Sequence, residues 1–231
     1  MLRSLAEGNY NRSHKMFITL HGYQYSVYTR IVRMVLAARS IAYRYVEIDP
    51  FTETSNPARC GLHPFGRVPV IEEDGFVLYE TAAICRYLDD VSGKVTLCAK
   101  APRDLARMNQ IIAITDNYGY WPMVRQVFSQ GVFRVAEGGT PDIAEFEAGL
   151  ATSRQVCNAL EDIASGGEFL IGGGLSLADL HLGAMIAYFT AASEGQAMIA
   201  TFPRLAAWWQ VMRENPLLIK TDPGLPNAPR A

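Results

Sequence analysis

Two unlike halves are predicted, a small α/β domain of βαβ–ββα order followed by an all-helical domain. Three observations predict them. Strand-like apolar and β-branched runs occur only ahead of residue 80, an Asp-Gly turn separates two of those runs, and beyond residue 102 only helix-length segments remain.

Residues 17–20 form a short apolar run ended by His21-Gly22, which reads as a strand and turn. Residues 29–38 place Ile31 with Val35 and Val32 with Leu36, the i, i+4 spacing of a buried helix face. Residues 43–48 alternate as a second strand. A strand–helix–strand unit with short connections lays its two strands parallel. Residues 70–72 and 76–79 flank Glu73-Asp74-Gly75, a strong hairpin signal, and a helix is predicted at once over 80–88. Residues 89–102 hold a glycine, a serine, two lysines and a closing proline, as linkers do. Helices are then predicted over 103–115, 142–164, 176–192 and 202–214, punctuated by Gly138-Gly139-Thr140-Pro141 and Gly172-Gly173-Gly174. The tail from Thr221 reads as extended. The expected division is a flexible extension at 1–15, an α/β domain at 16–90, a linker at 91–101 and a helical domain at 102–231.

With 231 residues, 49% of them hydrophobic and 19% charged, the chain is long and apolar enough to bury a core. A net charge of −2 excludes general adhesion to nucleic acid or anionic lipid. The longest nearly unbroken apolar stretch, 182–192, has eleven residues. A bilayer span needs about twenty, so neither membrane nor nucleic acid is expected as a partner. Cys60, Cys85, Cys98 and Cys157 stand far apart with no C-x-x-C pair, and His14, His21, His63 and His181 are equally scattered. Neither a disulfide framework nor a metal site is expected. The first fifteen residues lack the apolar core of a secretory signal, and a cytoplasmic chain with reduced thiols is expected.

The most informative string runs from His63-Pro64-Phe65-Gly66-Arg67-Val68-Pro69 through the hairpin to Glu80-Thr81. Val68-Pro69, just ahead of a strand, is a candidate cis bond that leaves the Val68 backbone groups free to pair with something extended. Thr81 at a helix start offers a hydroxyl beside unpaired amides, a site for a carboxylate, and the adjacent Glu80 suits an ammonium. Together they suit the two charges of an amino-acid head group. Taken singly, the same residues read as a turn and a helix cap.

In combination these features resemble the cytosolic glutathione S-transferase family, serine-type bacterial or plant-like members, over about residues 16–214. The resemblance implies a thioredoxin-like first half and glutathione as co-substrate. It implies attack of the glutathione thiolate on a small apolar electrophile, in a homodimer. A relative that only binds or regulates, or a glutathione-dependent peroxidase or isomerase, is the alternative. It also implies that sulfur activation falls between the first strand and first helix, where Gly22, Ser26 and Arg30 fit the serine-type spacing and no cysteine is present. Ser26 is the expected catalytic residue, and Tyr23 and Tyr25 are competing sulfur donors or pocket residues. A bare N-cap is the other reading of Ser26. Arg67, Val68, Pro69, Glu80 and Thr81 are the implied glutathione-binding residues, with Arg67 reaching the glycine carboxylate. Phe65 stands where some relatives carry an aromatic key for the partner subunit. Ser176-Leu177-Ala178-Asp179 matches the family's buried capping motif, for which capping is explanation enough. Tyr118, Tyr120, Trp121, Phe128 and Phe133 form an aromatic stripe, with Tyr118 and Trp121 as candidate electrophile-pocket residues. His63 receives no role.

Overall fold

A computed structural model describes residues 17–52, 58 and 61–226. The expected extension at 1–15, Cys60 and the last residues of the tail lie outside the described residues. Strand β1 (Ile18–Gly22) is buried at all five positions. Such a strand must be central, with both faces covered. It pairs in parallel with β2 (Tyr43–Glu47) and antiparallel with β3 (Val70–Glu73), which pairs antiparallel with β4 (Phe76–Tyr79), giving the order β2-β1-β3-β4. The β3–β4 turn takes φ of 47° at Asp74 and 85° at Gly75, the two left-handed residues that tight hairpins need.

Helix α1 (Val27–Arg39) makes the crossover and buries Ile31, Val32, Val35 and Leu36 against the sheet, the face that the periodicity predicted. It begins earlier than predicted because Ser26 caps it. Helix α2 (Thr81–Val91) runs beyond the predicted end to the buried Asp89, whose carboxylate accepts the Leu97 N–H at 2.9–3.0 Å and pairs with Arg39 at 3.1 Å. Leu97 in turn accepts the N–H of Leu177 at 3.1 Å, so one buried carboxylate ties the end of the α/β half to the helical half.

The helical half contains α3 (Pro102–Ile114), a π-helical stretch (Thr115–Phe133), α4 (Arg134–Ala136), α5 (Ile143–Ile163), α6 (Leu177–Phe189), α7 (Ser193–Ile199), α8 (Pro203–Met212) and α9 (Pro216–Lys220). The predicted helix ending at 115 therefore runs on as a wider coil of 19 residues. Gly119 and Pro122, residue types that usually interrupt helices, are both buried inside the π segment, which packs along α5 and α6. Helices α7 and α9 were also not predicted, being only seven and five residues long.

Helix α6 is the axis of this half, with 12 of its 13 residues buried. A helix apolar all round has no surface face. Its one buried acid, Asp179, accepts from Ser176 N at 2.8 Å, Ser176 Oγ at 2.6 Å, Leu170 N at 2.9 Å and the Trp208 indole at 2.9 Å. Burial pushes its pKa up, and these donors oppose the shift. The cap predicted from sequence is thus also a brace onto α8. Asp179→Ala strands these donors and is expected to cost at least about 3 kcal/mol, measured by urea unfolding.

Candidate active site

Topology brings three separate motifs to one edge of the sheet. His21, Val70 and Tyr79 lie opposite one another across β1, β3 and β4. Because β3 runs against both neighbours, β1 and β4 end at that edge and β3 begins there. Ser26 follows β1, Val68-Pro69 precedes β3, and Glu80-Thr81 follow β4. The N-termini of α1 and α2, the positive ends of their dipoles, open at the same place.

The loop after β1 is held tightly. Gly22 accepts the Ile48 N–H at 2.7 Å, and a Cβ on Gly22 would collide with the Thr29 side chain, so glycine lets α1 close onto the strand end. Ser26 N donates to Tyr23 O at 2.9 Å. The Ser26 Oγ accepts the Thr29 N–H at 3.2 Å and is half-buried. That bond uses a lone pair, and the hydroxyl hydrogen is still available to donate. Cap and donor are therefore compatible roles. Arg30, the third residue of the spacing, points away into the helical half: its Nη2 donates to Leu218 O at 2.8 Å and pairs with Asp222 at 3.3 Å, and its guanidinium lies 5.6 Å from the Tyr188 ring centre. Tyr188 donates to the Tyr25 carbonyl at 3.2 Å, anchoring the residue before Ser26.

Opposite, the Val68-Pro69 bond is cis. Pro69 is buried, Val68 half-buried and Arg67 exposed. Glu80 takes φ of 72°, a left-handed conformation rare for a residue with a side chain, and its side chain is 66% exposed. Such strain is characteristic of sites where position matters. Thr81 is buried, and no side chain caps the first turn of α2, which leaves its amides for an anion. His63, given no role from sequence, is buried with its Nε2 at 3.9 Å from Glu80 Oε1.

Over the Ser26 loop stands an aromatic wall. Tyr23 packs edge-on to Tyr25 and Phe51 at 5.6 and 5.9 Å, Tyr25 meets Phe133 at 5.1 Å, and Phe133 touches Phe128 at 5.9 Å. The Arg125 guanidinium lies 5.4 Å from the Phe51 ring centre. Phe51 and Arg125 were not singled out from sequence; their neighbours are distant in the chain and no local signal marks them. Tyr120 instead stacks on Tyr28 at 4.9 Å. Tyr118 and Trp121 are 65% and 60% exposed and make no ring contact with the wall among the described residues.

Burial, reinforced by Asp49, pushes the Tyr23 hydroxyl up to about 12, and burial with Asp116 pushes Tyr28 higher still. Tyr28 also feels Arg67 and Glu80, which ties the start of α1 electrostatically to the opposite wall. Asp116, in the π segment, has a buried Oδ1 without a hydrogen bond, and burial together with Glu80 raises its pKa from 3.8 to about 7. Between those values the folded chain keeps a proton that the unfolded chain releases, so Asp116 lowers stability as pH rises through the window. Asp116→Asn is expected to stabilise, with a gain over the natural chain that grows by about 1–2 kcal/mol from about pH 5.5 to about pH 8. Denaturant unfolding at both pH values checks it; a constant gain contradicts the assignment.

Comparison with known proteins identifies the family and the fold. Residues 20–94 match the family model "Glutathione S-transferase, N-terminal domain" and residues 150–220 match "Glutathione S-transferase, C-terminal domain". Similar proteins include glutathione S-transferase F13 of Arabidopsis thaliana, 24% identical over 93% of this chain and 99% of that one. The fold resembles that of glutathione S-transferase III in apo form, with a TM-score of 0.78 at 24% identity over 93% of this chain and 99% of that one. It also resembles maize glutathione S-transferase I in complex with an atrazine glutathione conjugate, with a TM-score of 0.74 at 24% identity over 89% and 96%. The chain belongs to the glutathione S-transferase family.

Proposed function

We propose that the protein is a glutathione transferase that uses Ser26 to stabilise the glutathione thiolate. The convergence of Ser26, Val68 and Glu80-Thr81 on one sheet edge carries this reading. A relative is named as a glutathione S-transferase, and a similar structure holds a glutathione conjugate.

The γ-glutamyl carboxylate takes the uncapped amides of α2 and the Thr81 hydroxyl, and Glu80 takes the ammonium. The Val68 backbone, shaped by Pro69, pairs with the cysteinyl unit, and Arg67 lies within the site to meet the glycine carboxylate. This places the sulfur at the start of α1, where the Ser26 hydroxyl donates to it and the helix dipole favours its negative charge. A free thiol has a pKa of about 8.5, so modest stabilisation supplies thiolate at neutral pH. The thiolate then forms a bond to an electrophilic carbon, and either the leaving group departs from that carbon with its bonding pair or, in an addition, the displaced electron pair on the neighbouring atom takes up a proton. Tyr23 is the weaker donor, because burial makes its hydroxyl a poorer acid. The wall of Tyr23, Tyr25, Phe51 and Phe133 suits an apolar electrophile; exposed Tyr118 and Trp121 stand at most on its rim.

Ser26→Ala is expected to raise the pKa of bound glutathione, by about one unit for each 1.4 kcal/mol of lost stabilisation, with little change in affinity for the neutral thiol. The ultraviolet thiolate band titrated with pH measures it, and Thr81→Ala is expected to show the converse, weaker binding with an unshifted midpoint. A midpoint that moves in Tyr23→Phe and not in Ser26→Ala contradicts the serine assignment.

The protein is further proposed to act as a cytoplasmic homodimer. Phe65 is 72% exposed, a large aromatic left in solvent that a partner's helical half would cover. Light scattering at micromolar concentration is expected to give twice the chain mass, and Phe65→Ser to shift it toward the monomer.

A further inference from the structure

His63 is the buried titratable group closest to the proposed head-group site that the mechanism leaves idle. Its surroundings settle its tautomer. The Phe65 N–H donates to His63 Nδ1 at 3.1 Å, so the neutral ring carries its hydrogen on Nε2. The ring is fixed in place, lying 4.6 Å from the Tyr79 ring and 5.8 Å from that of Phe65, with its side chain 4% exposed. Burial lowers its pKa and Arg67 adds to this, against an opposing pull from Glu80. Protonation of Nδ1 would also cost the Phe65 bond. The ring is therefore a rigid neutral donor whose Nε2–H faces Glu80 Oε1 at 3.9 Å. Glu80 is the opposite kind of group, strained in its backbone and solvent-exposed in its side chain, and among the described residues this ring is the partner that faces its carboxylate.

We propose that His63 is the positioning residue for Glu80, its Nε2–H holding one carboxylate oxygen while the other takes the α-ammonium of the γ-glutamyl group. The proposal rests on Glu80 as the ammonium anchor. A rotation of the exposed carboxylate that closes the gap to about 2.9 Å makes the hydrogen bond. Holding the carboxylate before the ligand arrives removes the need to order it on binding. The consequence is selectivity for peptides with a free α-amino group at the γ-glutamyl end over those in which it is absent or blocked.

The test is calorimetric binding of glutathione and of its analogue lacking the α-ammonium, γ-glutaryl-cysteinylglycine, to the full chain. His63→Asn keeps an oxygen that can accept the Phe65 N–H, as asparagine does two residues ahead in turns, and lacks the reach to Glu80. It is expected to bind glutathione about three- to tenfold more weakly and the analogue unchanged. His63→Gln, whose longer amide carries an N–H toward Glu80, is expected to recover part of the loss. In a Glu80→Gln background, His63→Asn is expected to cost nothing further. Equal losses for both ligands, or an undiminished loss in the Glu80→Gln background, overturn the proposal while leaving the anchor in place. If Glu80→Gln itself binds both ligands normally, the anchor assignment fails first.

Discussion

The site depends on one constraint of sheet topology. A central parallel strand, β1, and an outer strand reached through an antiparallel one, β4, must end at the same edge, and each feeds a helix there. Two helix N-termini then open at that edge, and both favour negative charge. In the proposed reading, glutathione sets its γ-glutamyl carboxylate at one and its ionising thiol at the other. The loop before β3 enters the same edge between them, which is why a stretch forty residues past Ser26 belongs to the same site.

The helical half serves that edge in two ways. It bears on the Ser26 loop through Tyr188, which holds the Tyr25 carbonyl, and through the segment around Leu218 and Asp222, which holds Arg30. It also supplies Phe133 and Arg125 to the aromatic wall from a π segment whose wide turns carry a glycine and a proline. Both depend on α6 staying in register, and α6 is fixed by the four hydrogen bonds to the buried Asp179 carboxylate. A buried charge of this kind is tolerated because each oxygen is satisfied by donors that already belong to the fold.

Charge at the site is set by burial more than by counting residues. Burial, with repulsion from Glu80, raises the pKa of Asp116 to about 7. Arg67 lowers the pKa of Tyr28 while Arg86 lowers that of Asp116, so the field here is a balance of several charges rather than a single pair.

Elements with strong local signals were legible from the chain alone. Asp74-Gly75 set the hairpin, Ile31 to Leu36 set the buried face of α1, Ser176 and Asp179 set the start of α6, and Ser26 and Glu80-Thr81 marked the two helix starts. Each is encoded within a few residues, through turn geometry, periodicity or capping, and so is legible without the fold. Tertiary structure alone decided what lies next to what. The π segment was hidden because glycine and proline read as breakers unless packing holds them in a wide helix. Phe51 and Arg125 joined the wall from opposite halves of the chain, and only the fold buried His63 beside Glu80. Spatial neighbours with no fixed sequence spacing leave no period or motif to read, because long-range packing, rather than local backbone preference, brings them together.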